Sequence, residues 1–183
     1  MDYILQMEKL YKFFDFTLNL NEVRMMYNAK RKLNDDLNLF GSFIKDFLTI
    51  KNNGKVSDDE SLYNDFVLWF ESVSFETKKV SKEISEFAGY YRMIIFEEAK
   101  DDRILSAIST INACFAIDTY PNLMLLLNKY YNHKVDTQEL YLMLECLTDI
   151  VLNRYENIQE NVLSFEDLEK RIENSAELER AVV

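Results

Sequence analysis

Residues 20–51 read LNEVRMMYNAKRKLNDDLNLFGSFIKDFLTIK, and this stretch decides the predicted fold. Its apolar residues recur alternately three and four positions apart, the spacing that lines one side of an α-helix. They are Val23, Met26, Leu33, Leu37, Phe40, Ile44 and Phe47. Lys30 is the one residue that interrupts this stripe. A helix of this length reaches about 48 Å, which predicts either a central strut of the fold or the seam of an oligomer.

The composition favours helices over sheets throughout the chain. With 3 Gly and 1 Pro in 183 residues there are few turn formers for a many-stranded sheet, whereas 48% hydrophobic residues supply a helical core. We therefore predict an all-α fold with one domain over residues 1–183, a bundle of about seven or eight helices. Two of these helices, 20–51 and 136–162, are long.

Apolar periodicity and capping residues predict the helix boundaries. Besides the two long helices we expect helices at 2–18, 57–73, 74–100, 103–117 and 121–131, and a last one that begins at 164. Ser57 with Glu60, and Asp136 with Glu139, have the spacing of an N-cap and its reciprocal acid. Residues 52–54 are two asparagines and a glycine, which end a helix readily because they adopt a positive φ.

The residue pattern of 103–117 predicts that this segment forms the most central helix of the fold. Ile104, Ile108, Ile111 and Phe115 follow each other at helical spacing and form one apolar face. The remaining positions are nearly free of charge and include small alanine and cysteine residues, which allow neighbouring helices to approach from several sides. We therefore expect this segment to be buried along its length.

Charge and cysteine content limit the classes of protein to which the chain can belong. The net charge of -11 disfavours a contiguous nucleic-acid-binding surface, because such binding relies on cations that neutralise phosphates. No apolar run approaches the roughly 18 uncharged residues of a membrane span, and residues 1–10 carry Asp2 and Glu8 in place of a basic signal region. Cys114 and Cys146 are far apart in sequence, which favours two reduced, buried thiols. We expect a soluble cytoplasmic protein, with the cytoplasm of an infected host cell included, and no membrane or direct nucleic-acid contact.

The excess of acidic side chains lies in the C-terminal part of the chain. Residues 135–183 hold twelve acids and four cations, whereas residues 24–55 hold seven cations and three acids. Four of the acids follow at i, i+4, i+11 and i+15, so they lie along one side of the predicted helix over about 22 Å. This acidic row consists of Glu145, Asp149, Glu156 and Glu160. The row is either a solvated face of the helix or a spaced negative surface that docks onto a basic protein. In the second case it would resemble the regularly spaced phosphates of a nucleic acid.

Three tyrosines are predicted to be exposed. Tyr90, Tyr130 and Tyr131 each have a neighbour that already occupies the apolar position of its helix. Tyrosine is enriched at protein interfaces, because it combines a large apolar ring with a polar tip. We therefore add Tyr130 and Tyr131 to the predicted partner-binding residues.

One set of acidic residues has a spacing that suits catalysis. His133 is the only histidine, and we predict that it lies on the surface. The three glycines are too far apart in sequence to form a phosphate-binding loop. We assign no catalytic residue, no metal ligand and no cofactor. Helix-borne acids nevertheless have the spacing to bind Mg²⁺ for phosphoanhydride cleavage, as in all-α nucleotide pyrophosphatases. These acids are Glu97, Glu98, Asp101 and Asp102, and Glu145 with Asp149, although Asp101 and Asp102 are explained equally well as a helix start.

These features predict a non-enzymatic, acidic helical interaction protein. We expect it to bind, and to inhibit or regulate, a protein partner with a basic surface, most naturally one that handles nucleic acid. Small acidic helical inhibitors of this kind are often virus-encoded and mimic nucleic acid, which is an analogy of composition only. The alternatives are a Mg²⁺-dependent phosphohydrolase and a self-assembling structural subunit, a homo-oligomer joined through the long helix 20–51.

Overall fold

The computed structural model describes residues 9–10, 39–55, 57–58, 60–73 and 77–156. Within these ranges the chain forms six α-helices, one 3₁₀ turn and no strand. The elements are α1 (Leu39–Lys51), α2 (Leu62–Val73), α3 (Thr77–Phe96), α4 (Asp102–Ala113), the 3₁₀ turn Ile117–Thr119, α5 (Tyr120–Tyr131) and α6 (Thr137–Glu156). The predicted all-α class is confirmed. The described ranges contain fewer helices than the seven or eight predicted for the entire chain.

Several of the predicted helices, the one over 136–162 included, fall partly or wholly outside the described ranges. Of the long helix predicted over 20–51, the structure describes only Leu39–Lys51. Its full length, the setting of Lys30 and its role as an oligomer seam therefore stay predictions. The helices predicted over 2–18 and from 164 lie almost entirely outside the described residues.

The chain divides into two compact units, residues 1–92 and residues 93–183. The boundary falls inside α3, so this helix contributes to both units. The single domain predicted over residues 1–183 stays a prediction.

The described part of the first unit has an aromatic core. The ring of Phe47 on α1 lies 4.9 Å from Trp69 on α2 and 5.6 Å from Phe87 on α3, measured between ring centroids. Phe43 lies one turn earlier on α1 and packs against Tyr91 at 5.6 Å. Eight residues of α1 are buried: Leu39, Phe40, Gly41, Phe43, Ile44, Phe47, Leu48 and Thr49. Because these residues surround most of its circumference, α1 is a core helix, as its apolar spacing predicts.

In the second unit, α4 and α6 run parallel and side by side. At one end the Tyr141 hydroxyl of α6 donates a hydrogen bond to Asp101 Oδ2, immediately before α4, at 2.6 Å. At the other end Arg154 Nη1 in the last turn of α6 donates to Asp118 Oδ2, beyond α4, at 2.7 Å. The intervening helix α5 packs against α6. The core of this unit consists of Ile104, Ala107, Ile108, Ile111, Leu123, Met124, Leu127, Leu140, Leu144, Leu147 and Val151.

The prediction that residues 103–117 form the most central helix is wrong. Helix α4 ends at Ala113, and the side chain of Phe115 is 83% exposed. Phe115 has a φ of 52°, so the chain leaves the helix before Phe115 can join the apolar face of Ile104 and Ile108. The more completely buried helix of this unit is α5, whose first five residues, Tyr120–Met124, are all buried.

One predicted helix start is confirmed in full. The backbone amide of Asp136 donates to Glu139 Oε2 at 3.0 Å, and the amide of Glu139 donates to Asp136 Oδ1 at 2.9 Å. These two reciprocal bonds are the capping box that the spacing predicts, and α6 begins at Thr137.

A second predicted start is wrong. Helix α2 begins at Leu62 instead of near Ser57, which is buried in the connection before it. The hydroxyl of Ser61 lies at the beginning of α2, where it donates to Asp65 Oδ2 at 2.8 Å and also lies 3.2 Å from the Asp58 carbonyl oxygen. Either serine can serve as an N-cap, and the folded chain uses the later one.

Four helix ends in the described ranges use a residue with a positive φ. In each case the next amide donates to the carbonyl five positions back, at distances between 2.8 and 3.1 Å, as in a Schellman motif. The residues with positive φ are Asn53 (52°), Glu97 (53°), Phe115 (52°) and His133 (56°). Asn53 and the following glycine confirm the predicted end of α1, whereas the other three residues give no such signal in the sequence.

Replacing His133 with glycine is expected to raise the free energy of unfolding by about 0.5–1 kcal/mol. His133 is exposed and holds a left-handed conformation that glycine adopts without a steric penalty. The measurement is urea denaturation of both proteins. His133→Ala removes the same imidazole and keeps the penalty, so equal stabilisation by alanine would contradict the explanation.

Candidate protein-interaction surface

Two members of the acidic row lie on the solvent side of α6. Glu145 and Asp149 are both exposed and one turn apart, which places them on the same face of the helix. The opposite face is buried in the core through Leu140, Leu147 and Val151. Glu156 is the last residue of α6, and Glu160 lies outside the described residues. The predicted alignment of Glu145 with Asp149 is therefore realised on a helix that the core holds in place.

Arg103 on α4 lies close to the acidic row. Its Nη1 is 4.0 Å from Glu145 Oε1, and its guanidinium carbon is 4.5 Å from the centroid of the Tyr141 ring. Both side chains of the ion pair are mostly exposed, and such pairs contribute little to stability. Arg103 therefore offsets part of the charge of the acidic row at its Glu145 end.

Asp101 joins the beginning of α4 to α6. Its Oδ1 accepts hydrogen bonds from the backbone amides of Arg103 and Ile104, each at 3.0 Å, and its Oδ2 accepts the Tyr141 hydroxyl. The Tyr141 bond and then the backbone bonds hold the pKa of Asp101 below its usual range. The same bond raises the pKa of Tyr141, because ionisation of the phenol would remove the donor. Asp101 is thus an N-cap, as the helix-start interpretation predicts.

The carboxylate of Glu97 is also hydrogen-bonded to side chains of its own unit. Its carboxylate accepts hydrogen bonds from Asn112 Nδ2 at 3.1 Å and from Ser109 Oγ at 2.8 Å, and these bonds lower its pKa. Asn112 in turn donates to the Ile94 carbonyl at 3.0 Å and accepts the Tyr120 hydroxyl at 2.8 Å. Among the residues that the structure describes, no group of three or more His, Cys, Asp or Glu side chains is placed to hold a metal ion.

The predicted exposed tyrosines divide into three cases. Tyr131 is 46% exposed and its ring lies 5.2 Å from that of Tyr130, which is half-buried. Partial burial, the neighbouring Tyr130 and then Asp101 raise the pKa of Tyr131, so its phenol remains a hydrogen-bond donor at neutral pH. Tyr90 is buried, and its prediction is wrong, because its ring packs against Phe87 one turn earlier on α3.

A shallow groove of about 320 Å³ runs between α4 and α6. The lining is about equally polar and apolar, and its polar part consists of hydroxyl groups and the Arg103–Glu145 pair. The lining residues are Arg103, Ser106, Ala107, Thr110, Tyr141, Leu144, Glu145 and Thr148. This groove borders the acidic face of α6, and its hydroxyls add hydrogen-bonding groups beside the carboxylates.

Large exposed apolar side chains are the feature that the sequence does not predict. Phe115 and Ile117 lie in the turn between α4 and α5, and Leu152 and Tyr155 lie in the last turns of α6. Helical periodicity assigns Phe115 to a buried face, because the early end of α4 has no glycine to announce it. The exposure of Leu152 could have been found from its spacing, since it follows Glu145 at i+7 and both belong to one side of the helix.

Comparison of the chain with protein families, with curated proteins and with solved structures gives no significant match. In the ranges that the structure describes, none of the helices combines the length and the apolar character that crossing a membrane requires. Cys114 and Cys146 are both half-buried and form no disulfide.

Proposed function

We propose that the protein is a non-enzymatic interaction protein that binds a macromolecular partner with a basic surface and inhibits or regulates it. The binding surface is the acidic row, of which Glu145, Asp149 and Glu156 belong to α6 and Glu160 lies outside the described residues. Tyr131 and its neighbour Tyr130 are additional contacts. The setting is the cytoplasm, that of an infected host cell included, and two half-buried cysteines that form no disulfide suit a reducing compartment.

One observation carries this proposal: Glu145 and Asp149 project from the solvent side of a helix whose other side is core. A carboxylate on such a support loses little freedom when it meets a cation, so less ordering entropy opposes binding. Ten acids and five cations in residues 93–156 add a long-range negative field, which speeds encounter with a basic surface.

A protein that handles nucleic acid is the partner class we favour. Such a protein carries cations positioned for regularly spaced phosphates. Carboxylates spaced along one helix face offer it a similar pattern of negative charge, and occupation of its groove would exclude the nucleic acid. Inhibition then follows from competition for one basic surface, without any chemical step.

Reversing two charges of the acidic row is expected to weaken partner binding by about tenfold or more, because two attractions become repulsions. The variant is Glu145→Lys combined with Asp149→Lys. The partner is first captured from the native source and purified, and its dissociation constant is then measured by calorimetry at low and at high salt. Wild-type binding should weaken as salt rises, since salt screens exposed charges.

The matched control makes the same change of net charge elsewhere. Glu60→Lys combined with Glu71→Lys alters two exposed acids of the first unit and should leave the affinity within about twofold, as surface substitutions away from an interface do. If both double variants bind alike, or if the wild-type affinity does not depend on salt, the acidic row is not the binding surface.

A further inference from the structure

Four large apolar side chains of the second unit are exposed near the last turn of α6 and the turn after α4. They are Phe115 (83% exposed), Ile117 (63%), Leu152 (41%) and Tyr155 (61%). Single exposed apolar residues are ordinary on protein surfaces, whereas several together mark an interaction site. We call this set the apolar end.

An ion pair brings the two segments of the apolar end together. Arg154 Nη1 lies 2.7 Å from Asp118 Oδ2. Ile117 precedes Asp118 in the chain, and Tyr155 follows Arg154, so the pair places Ile117 and Tyr155 at the same end of the unit. Two segments that are distant in sequence thus contribute to one region of the surface.

Phe115 is the residue that folding explains least. Its large ring is almost fully in water, and its backbone has a positive φ, which is unfavourable for a side chain with a Cβ. A glycine or asparagine there would end α4 at lower cost. The positive φ costs stability and the exposed ring gains no burial in return, so the stability of the fold does not account for a phenylalanine at this position.

The apolar end is continuous with the acidic face of α6. Leu152 follows Glu145 and Asp149 at i+7 and i+3, so all three lie on one side of the helix. The ion pair between Asp118 and Arg154 is neutral, so it adds no net charge beside Ile117. The negative charge next to the apolar end comes from Asp149, one turn before Leu152, and from Glu145, which Arg103 partly offsets. The surroundings of the apolar end are therefore negative.

We propose that the apolar end anchors the protein in an apolar pocket of a separate partner protein, and that lysine and arginine side chains rim this pocket. The inference rests on the proposed function and adds the part of the surface that supplies most of the affinity, because buried aromatic anchors dominate binding energy whereas rim charges chiefly set association rate and specificity. A symmetric dimer formed through two apolar ends does not fit, since it would bring acid against acid.

Photocrosslinking identifies the protein that covers the apolar end. The photoreactive amino acid benzoylphenylalanine replaces Phe115 in one full-length protein and Tyr155 in another, and each is irradiated in extract of the native source. Leu68 of the first unit is 66% exposed and serves as the matched control position. We expect positions 115 and 155, and not 68, to link to the same protein, at peptides in which lysine and arginine outnumber acids.

Affinity measurements with that purified partner separate the two proposals. Phe115→Ser combined with Tyr155→Ser should weaken binding by at least about tenfold, whereas Leu68→Ser should leave it within about twofold. Weakening by the charge reversal at Glu145 and Asp149 but not by the serine substitutions would overturn the anchor and leave the acidic surface standing. Weakening by the serine substitutions alone would overturn the acidic surface and the basic rim. Crosslinks to a second copy, within the chain itself, or to acidic peptides would overturn the inference.

Discussion

Replacing Phe47 with alanine is expected to lower the free energy of unfolding by about 3–5 kcal/mol, the largest effect of any substitution considered for this protein. The Phe47 side chain has no exposed surface, and its ring contacts those of Phe43, Trp69 and Phe87. Alanine would remove these contacts and leave a cavity where α1, α2 and α3 meet. The ammonium of Lys51, which lies 5.3 Å from the Phe47 ring and pairs with Glu83, would lose one of its neighbours as well.

Urea denaturation monitored by Trp69 fluorescence measures this loss. Phe115→Ala is the matched control, because it removes the same ring from a side chain that is 83% exposed. We expect a change within about 0.5 kcal/mol for the control. Equal losses for the two variants would contradict the placement of Phe47 in the core and of Phe115 on the surface.

Replacing Asp46 with asparagine is expected to stabilise the protein at neutral pH. Burial raises the pKa of the Asp46 carboxyl from its ordinary value of 3.8 to about 8, and the neighbouring Lys45 only partly opposes this shift. At pH 7 the folded protein therefore keeps a proton that the unfolded chain releases. Because the side chain retains some solvent contact, we expect a gain of about 1–3 kcal/mol instead of the roughly 4 kcal/mol of a complete shift.

The sign of this effect depends on pH in a defined way. Below pH 4 the carboxyl is protonated in both states, so Asp46 adds no pH dependence. Between pH 4 and pH 8 only the folded state holds the proton, and its contribution to stability falls as pH rises. Above pH 8 the full penalty of a buried charge is present. Asp46→Asn should therefore flatten the stability profile across this window.

The measurement is a series of urea denaturation curves from about pH 4 to about pH 9 on the wild type and on Asp46→Asn. Asp149→Asn removes a carboxylate from an exposed position and should leave the shape of the profile unchanged. Parallel profiles for the wild type and Asp46→Asn would show that Asp46 does not keep its proton in the folded protein.

Features that depend on a few neighbouring residues were predictable from the sequence. The capping box of Asp136 and Glu139 needs only its own turn, and the end of α1 at Asn53 needs only residues that accept a positive φ. The alignment of Glu145 with Asp149 follows from helical periodicity once α6 exists. The all-α class follows in the same way from apolar spacing and the scarcity of glycine and proline.

Features that depend on packing between distant segments were not predictable. Nothing near Phe115 announces that α4 ends before it, because a phenylalanine occupies the position where glycine is usual. Ser57 and Ser61 are both suitable helix starts, and their surroundings decide between them. The Arg103–Glu145 pair joins two helices that are far apart in sequence, so no local pattern gives it. The apolar end escaped prediction for the same reason.

The carboxylate of Asp101 serves two helices at once, and this makes the formation of α4 depend on the docking of α6. Its Oδ1 satisfies the first amides of α4, while its Oδ2 is held by Tyr141 from a segment 40 residues later. An isolated α4 peptide would have the cap without the tyrosine that orients it, and 12 residues form a stable helix poorly on their own. We therefore expect the two helices to form and to melt together, and α5, which connects them, to follow.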